Sequence, residues 1–284
     1  MSDSPDTNPI NRRSFLKLAG ATAAVGATAV EALNALVEKA AASVATEARG
    51  TPSFPTPGYD WTKHRWAFGV DSNLCAGCLA CVEACKLENG VPKDPHHFRT
   101  WVERYVYLEG EQSPRVDSEA NAGDIAASNA RFVEPYRYDD RYADKKLEKS
   151  FFVPKLCNHC SRPPCVQVCP VGATYRTEDG VVLIDQDYCI GCRYCVQACP
   201  YGARYFNEEL GVADKCTWCY HRITKGLKPA CVEVCCHGAR VFGDLNDPES
   251  DISRFLRDNR VEVLKPEIGT HPNVYYVGID KDVR

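Results

Sequence analysis

Sixteen of the seventeen cysteines fall into four groups of four, each compact enough to place several thiolates around one metal centre. The first and third groups have the spacing C-x2-C-x2-C-x3-C. The second has four residues between its middle cysteines, and the fourth has eleven. Thiolates bind soft or borderline metals, so this spacing predicts metal sites. The groups are Cys75, Cys78, Cys81 and Cys85; Cys157, Cys160, Cys165 and Cys169; Cys189, Cys192, Cys195 and Cys199; and Cys216, Cys219, Cys231 and Cys235.

The endings of the groups favour iron-sulfur clusters held in pairs. Three thiolates from one tight loop can bind three corners of an iron-sulfur cube, whereas the last cysteine of a C-x2-C-x2-C-x3-C-P run ligates the other cluster of a pair. Pro170 follows Cys169 and Pro200 follows Cys199, and a Gly-Ala pair comes shortly after three of the groups. These echoes indicate an internal repeat.

The N-terminus has the features of an export signal. Arg12 and Arg13 precede Phe-Leu-Lys, and thirteen uncharged residues follow at positions 18–30. This resembles a twin-arginine signal, which predicts a location in the periplasm or on the outer face of the cytoplasmic membrane. Thirteen residues are fewer than the ~20 that cross a bilayer, and no later stretch is apolar enough to do so, so we expect the mature chain to have no membrane span of its own.

The sequence gives weaker support to other roles for the cysteines. Structural zinc accepts C-x2-C pairs, but x3-C-P endings are not zinc-knuckle spacing. An exported protein can carry disulfides, yet C-x2-C repeated in every group suits a metal better. Cys236 takes the place of the proline in its repeat, and we expect a buried, unligated cysteine there rather than a catalytic thiol.

Composition narrows the function further. The chain has 284 residues, 44% apolar and 25% charged, with a formal net charge of -4, which argues against a broad basic surface and a nucleic-acid partner. It has no phosphate-binding glycine loop, no flavin or nicotinamide fingerprint and no recognisable nucleophile-base motif. We therefore expect no catalytic residues.

Four segments of the chain together resemble the four-cluster iron-sulfur subunits of the dimethyl sulfoxide reductase superfamily. They are Cys75–Gly90, Phe152–Cys169, Val181–Tyr205 and Val212–Asp244. The resemblance implies an α+β fold of two ferredoxin-like modules, one nested within the other. It also implies four [4Fe-4S] clusters, because all sixteen ligand positions are cysteine. The implied ligand sets are Cys157, Cys160, Cys165 and Cys199; Cys189, Cys192, Cys195 and Cys169; Cys75, Cys78, Cys81 and Cys235; and Cys216, Cys219, Cys231 and Cys85.

The function implied is electron relay between a catalytic subunit, with molybdopterin as the expected cofactor, and a membrane subunit that is quinone-reactive or a cytochrome. Alternatives are a subunit of a periplasmic hydrogenase or of a cytochrome-type nitrite reductase system, and a free-standing polyferredoxin shuttle. The expected organisation is a signal region at 1–45, an extended linker at 46–62, an outer module at 63–108 and 207–284, a polar, loop-rich insertion at 109–150, and an inner module at 151–206.

Local patterns predict short strands and a few residues around the ligands. β-branched and aromatic residues predict strands over His64–Val70, Arg99–Leu108, Val181–Ile184 and Val274–Ile279, with a turn at Asp179-Gly180. We expect His159 and His221 not to be ligands, and Trp101 and Trp218 to serve in packing. Cations near the cysteines could screen cluster charge, but for each one we expect a solvated surface position; they are Lys86, Lys155, Arg193, Lys215, Arg222 and Lys228.

Overall fold

The structure is a computed structural model that describes residues 56–92, 96–118, 142 and 144–283. The expected signal region, residues 46–55 of the expected linker, and residues 119–141 and 143 of the expected insertion lie outside the described residues. All seventeen cysteines lie within them.

The described residues form short strands and short helices, so the fold is α+β. The strands are β1 (Trp66–Asp71), β2 (Thr100–Leu108), β3 (Arg115–Ser118), β4 (Leu147–Leu156), β5 (Thr174–Arg176), β6 (Val182–Ile184), β7 (Arg204–Asn207), β8 (Val212–Lys215), β9 (Arg240–Asp244) and β10 (Val274–Val277). The helices are α1 (Ala80–Asn89), α2 (Pro164–Gln167), α3 (Tyr194–Gln197), α4 (Tyr220–Ile223), α5 (Ala230–Glu233) and α6 (Asp251–Asp258), with 3-10 turns at Trp61–Lys63 and Pro266–Ile268. All four predicted strands are confirmed, with ends shifted by one or two residues.

One three-stranded sheet joins distant parts of the chain. β1 lies between β10, to which it is parallel, and β9, to which it is antiparallel. Phe68 on β1 is opposite Val274 on β10 and Phe242 on β9. Helix α6 packs on this sheet through the fully buried Ile252, and Ser250 caps the helix by accepting a hydrogen bond from the Ser253 N–H.

A second sheet has β2 at its centre, with β3 and β4 antiparallel on either side. β3 and the first residues of β4 lie within positions 109–150, so the described part of the expected insertion contains strand residues as well as turns. β2 is buried at every position except the half-buried Glu103 and Tyr107, as expected for a central strand that is covered on both faces. Buried Arg104 on β2 donates a 2.8 Å hydrogen bond to Asp117 on β3.

Two hairpins, β5–β6 and β7–β8, lie within or near the cysteine segments. The turn predicted at Asp179-Gly180 joins β5 to β6, and Gly180 has φ +94°. None of the helices in the described part of the chain has the length and apolar composition of a membrane-spanning segment.

Buried Asp179 ties the segment before β1 to the cysteine-bearing part of the fold. Its carboxylate accepts hydrogen bonds from the hydroxyls of Tyr59 (2.6 Å) and Tyr220 (2.7 Å). Its backbone oxygen accepts from the Trp66 N–H at 3.1 Å. Because charged acceptors make the stronger hydrogen bonds, this carboxylate fixes the chain entering the first sheet.

Candidate metal centres

Three cysteine loops lead into helices through a residue with positive φ. Leu79 (φ +61°) precedes α1, Arg193 (φ +63°) precedes α3, and Cys219 (φ +50°) precedes α4. An L-residue adopts this left-handed conformation at a cost of about 1–2 kcal/mol. Its recurrence at three cysteine loops indicates that the geometry of the site, rather than local preference, sets the backbone there.

Glycine is required in the two C-x-G-C loops. A Cβ added to Gly77 (φ +68°) would lie 2.5 Å from the Phe152 ring, and one added to Gly191 (φ +69°) would lie 2.5 Å from the backbone oxygen of Gly211. Both the dihedral angle and the close approach therefore exclude a side chain.

Four cysteines from two sequence groups line one cavity of about 320 Å³ of empty volume: Cys157, Cys160, Cys165 and Cys199. Burial raises the pKa of the Cys160 thiol to about 12, and the neighbouring charges of the other three cysteines also raise it. Burial and mutual repulsion keep these thiols protonated. A bound metal cation has the opposite effect, because a thiol that coordinates a metal loses its proton outright. The donor set thus fits a metal cluster.

A second cavity, of about 340 Å³ of empty volume, is lined by Cys75, Cys78, Cys81 and Cys235. Again the fourth cysteine comes from a distant sequence group. Burial raises the pKa of Cys75 to about 11, although a hydrogen bond from the Gly77 backbone lowers it.

A third set converges around Cys85. Burial raises the pKa of the Cys85 thiol well above its usual value, and so do the charges of Cys216, Cys219 and Cys231. The Asn89 side-chain amide lies between two of these sulfurs, with Nδ2 3.5 Å from Cys85 Sγ and 3.6 Å from Cys219 Sγ. Backbone donors contribute as well, since the Trp218 N–H donates to Cys216 Sγ at 3.4 Å.

The fourth expected set is less enclosed. Buried Cys195 lies in a small apolar cluster with Cys165, and half-buried Cys189 packs against that cluster. Cys192 is exposed, and half-buried Cys169 accepts a 3.4 Å hydrogen bond from the Thr174 N–H.

All seventeen cysteines are free of disulfides. Cys236 is exposed, so the expectation of a buried thiol there is wrong. Turning at the end of α5 places Cys235 against its cavity and its neighbour towards solvent. Within the described residues, no group of three His, Cys, Asp or Glu side chains is placed to hold a single metal ion.

The expectation that nearby cations are solvated is wrong for three of them. Lys86, Lys155 and Lys215 are at most 5% exposed. Lys155 pairs with Glu103 at 2.6 Å. The expectation is confirmed for Arg193 and Lys228, which are exposed.

Sequence reasoning missed two arginines that lie at the cavities. Arg204 and Arg240 line the first and second cavity, respectively, and are 5% and 3% exposed. Arg204 Nη2 donates to Cys165 Sγ at 3.0 Å. Both follow a Gly-Ala pair, and that recurrence is the signal that could identify them.

The histidines and tryptophans serve in packing and ion pairing. His159 is fully buried, accepts a 3.0 Å hydrogen bond at Nδ1 from the Val182 N–H, and stacks on Trp218 with ring centroids 4.0 Å apart. His221 lies 2.7 Å from Glu88, which also pairs with half-buried Arg222. Buried Trp101 likewise donates to Glu103.

Known families match both the cysteine-rich region and the N-terminus. The family model for the 4Fe-4S dicluster domain matches residues 148–245, and that for the twin-arginine translocation signal matches residues 9–29. The chain is 41% identical over 221 residues to the tetrathionate reductase B subunit of Salmonella typhimurium, covering 77% of this chain and 74% of that protein.

Two further relatives extend the comparison. The sulfite dehydrogenase B subunit of Allochromatium vinosum is 39% identical over 218 residues, covering 74% of this chain and 82% of the relative. A putative dimethyl sulfoxide reductase iron-sulfur B subunit of Halobacterium salinarum is 38% identical over 225 residues, covering 73% and 77%. The chain belongs to the family of twin-arginine-exported iron-sulfur B subunits of the dimethyl sulfoxide reductase type.

Several expectations are thereby confirmed for this iron-sulfur protein. It is an electron-transfer component of an oxidoreductase complex and not the catalytic one. Its cofactors are [4Fe-4S] clusters, and its seventeen cysteines suffice for four of them. The signal directs it to the periplasm or the outer face of the membrane.

Proposed function

We propose that the chain passes single electrons along a row of four [4Fe-4S] clusters, between a molybdopterin-containing catalytic subunit and a quinone-reactive or cytochrome subunit in the membrane. The observation that carries the proposal is the crossed cavity: Cys157, Cys160 and Cys165 share it with Cys199 from the next sequence group. Crossed ligation is the signature of paired clusters. A bound [4Fe-4S] cluster supplies one-electron transfer.

The proposed ligand sets are those that the resemblance implies. We name them set A to set D in the order proposed for the row. They are Cys75, Cys78, Cys81 and Cys235 (set A); Cys85, Cys216, Cys219 and Cys231 (set B); Cys157, Cys160, Cys165 and Cys199 (set C); and Cys169, Cys189, Cys192 and Cys195 (set D).

Charge interactions between cysteines of different sets support this order. Besides burial, the charge of Cys81 in set A raises the pKa of Cys231 in set B, and the charge of Cys157 in set C raises that of Cys216 in set B. Burying those sulfurs keeps water away from the electron path. A short, dry path between neighbouring centres is what an electron relay requires.

Two nested modules accord with the strand pairing. β1 precedes the first cysteine group and β9 follows the fourth, and they are hydrogen-bonded neighbours. The outer module, 63–108 and 207–284, would close through this pairing around the inner module, 151–206. β4 crosses the proposed boundary at position 150, so the insertion 109–150 shares a strand with the inner module.

The partners are proposed from the names of the relatives. Tetrathionate reductase and sulfite dehydrogenase each have a B subunit by name, which places those proteins among enzymes of more than one chain. A chain without catalytic residues of its own needs such a catalytic partner. Affinity purification of the chain from gently solubilised membranes tests this. We expect a catalytic oxidoreductase subunit and a membrane subunit to co-purify; a single species of the chain's own size would instead favour the shuttle.

Three serine variants test the crossed ligation. Cys165→Ser and Cys199→Ser each remove one ligand of set C, although they lie in different sequence groups. Both should change the same cluster signal in electron paramagnetic resonance spectra recorded at a series of poised potentials. Cys169→Ser is the matched control, since it shares a sequence group with Cys165 but belongs to set D.

The control defines the contrary result. If Cys165→Ser and Cys169→Ser alter one signal while Cys199→Ser alters another, each sequence group holds its own cluster and the crossed assignment is wrong. Iron and acid-labile sulfide analyses of the unchanged protein, at about sixteen of each per chain for four cubes, accompany the spectra.

A further inference from the structure

Three buried cations lack the carboxylate partner that buried charges ordinarily have. Arg204, Lys215 and Arg240 are 5%, 0% and 3% exposed, and within the described residues none of them forms an ion pair with Asp or Glu. Elsewhere in the fold, buried Arg104 pairs with Asp117. An unpaired buried charge costs several kcal/mol, so these three side chains require another source of negative charge.

Arg204 faces cysteines of sets C and D. Its Nη2 donates to Cys165 Sγ at 3.0 Å, and its guanidinium lines the cavity of set C. Burial lowers the pKa of Arg204, but the charges of Cys165, Cys157 and Cys195 raise it, and the last of these belongs to set D.

Arg240 has the same relation to sets A and B. It lines the cavity of set A. Burial lowers its pKa, but the charges of Cys81 and Cys75 from set A, of Cys231 from set B and of Tyr276 raise it. Its Nη2 donates to Thr100 Oγ1 at 2.8 Å, while Nη1 is buried without a hydrogen-bond partner.

Lys215 occupies the remaining gap, between sets B and C. Its Nζ donates to the backbone oxygens of Val182 and Cys216, the latter at 2.7 Å. Burial and the charge of Arg204 lower the pKa of Lys215, whereas the charges of Cys157 and Cys165 in set C and of Cys216 in set B raise it.

The hairpin β7–β8 adds a second argument. Arg204 and Lys215 are directly opposite each other in its register, and both are buried. Like charges at facing positions destabilise a strand pair. Strong negative charge beside the hairpin offsets this repulsion, and cysteines of sets C and B lie there.

Arg204 and Arg240 stand at the same position of the internal repeat. The sequence reads C-P-Y-G-A-R-Y-F from Cys199 and C-C-H-G-A-R-V-F from Cys235, so each arginine stands five residues after the last cysteine of its group. The corresponding position after Cys169 is Thr174. The two arginines thus occupy equivalent places in the two modules.

We propose that Arg204, Lys215 and Arg240 are interposed cations, one in each gap of the row, and that each favours the reduced state of the clusters on both sides. The proposal rests on the ligand sets given under Proposed function. Four thiolates make each cluster anionic, and reduction adds another negative charge. A fixed positive charge within reach of two clusters therefore raises both reduction potentials, as other groups around the sulfurs do.

Neutral variants of each cation test this. Arg240→Gln, Lys215→Met and Arg204→Gln are made in the complete complex, and the four midpoint potentials are measured by redox titration followed by electron paramagnetic resonance. We expect each variant to shift two potentials to more negative values and to leave the other two unchanged. Lys215→Met should share one shifted potential with each arginine variant, whereas the two arginine variants should share none.

Controls separate charge from folding. Arg240→Lys keeps the charge and should restore both potentials. Arg104→Met removes a buried cation that pairs with a carboxylate, and it should lower stability without moving any potential. Where Arg240→Gln does not assemble, Thr100→Asp provides the second test, because it neutralises the arginine in place and should shift the same two potentials.

Two outcomes overturn the proposal. One is a shift confined to a single cluster, or spread evenly over all four. The other is a shift that Arg240→Lys fails to reverse, which would make the arginine a packing element. An unchanged protein without four cubes in iron and sulfide analysis would instead overturn the proposed function, so the two failures are distinguishable.

Discussion

Gly191→Ala should destabilise the protein more than the same substitution at Gly202. Both glycines have positive φ, +69° and +62°, and both lie in cysteine loops of the proposed inner module. The left-handed conformation costs alanine about 1–2 kcal/mol, and the lower entropy of the unfolded chain offsets about 0.4–1 kcal/mol of that. Each variant therefore loses about 1 kcal/mol from its backbone alone.

Only Gly191 adds a steric conflict. Its new Cβ would lie 2.5 Å from the Gly211 backbone oxygen and 3.1 Å from the Phe206 ring, whereas a Cβ on Gly202 would meet nothing within 4 Å. Overpacking against backbone costs about 1–3 kcal/mol more. At about 2–4 °C per kcal/mol for a domain of this size, Gly202→Ala should lower Tm by about 2–4 °C. Gly191→Ala should lower it by about 4–16 °C.

Thermal unfolding followed by circular dichroism measures the difference, on preparations matched for iron content. Gly191 also stands between Cys189 and Cys192, so its variant should disturb the signal of the set D cluster in electron paramagnetic resonance while Gly202→Ala leaves it intact. Equal Tm losses for the two alanines would refute the steric reasoning, because the dihedral angle is common to both.

Two further predictions concern the segments that flank the cluster-bearing region. Asp179→Asn should weaken the hydrogen bonds that the carboxylate accepts from two tyrosines, because a hydrogen bond to a charged group contributes about 1.5–3 kcal/mol and one to a neutral group less. Limited proteolysis should then cleave the chain more readily before β1. An unchanged cleavage rate would mean that these bonds do not hold the segment. Replacing Arg12 and Arg13 by lysine should leave the protein in the cytoplasm with its iron content unchanged, as measured by cell fractionation and iron analysis; undiminished export would contradict the assignment of the signal.

The parts of the site that follow from local geometry could be predicted from sequence. Three cysteines in a C-x2-C-x2-C run cannot avoid sharing a loop, and a residue such as Val182 or Tyr105 in a run of β-branched and aromatic neighbours favours a strand. The pairing of β1 with β9 could not be predicted from local sequence. It joins residues about 170 positions apart, and only the packing of the whole core selects it over other partners.

The expectation of a surface position failed for Lys86, Lys155 and Lys215, and for Lys215 the clusters supply a physical reason. Lysine and arginine are rarely buried, so sequence reasoning places each cation near a cysteine on the surface. That expectation assumes a core without net charge. Four cubes with thiolate ligands make the core itself anionic, and a cation then gains more from the sulfurs than it loses in leaving water. Lys215 shows the reversal most clearly, because it is fully buried directly opposite another cation, Arg204. A sequence that predicts sixteen cluster-binding thiolates therefore also predicts buried cations, and the recurring Gly-Ala-Arg marks where two of them lie.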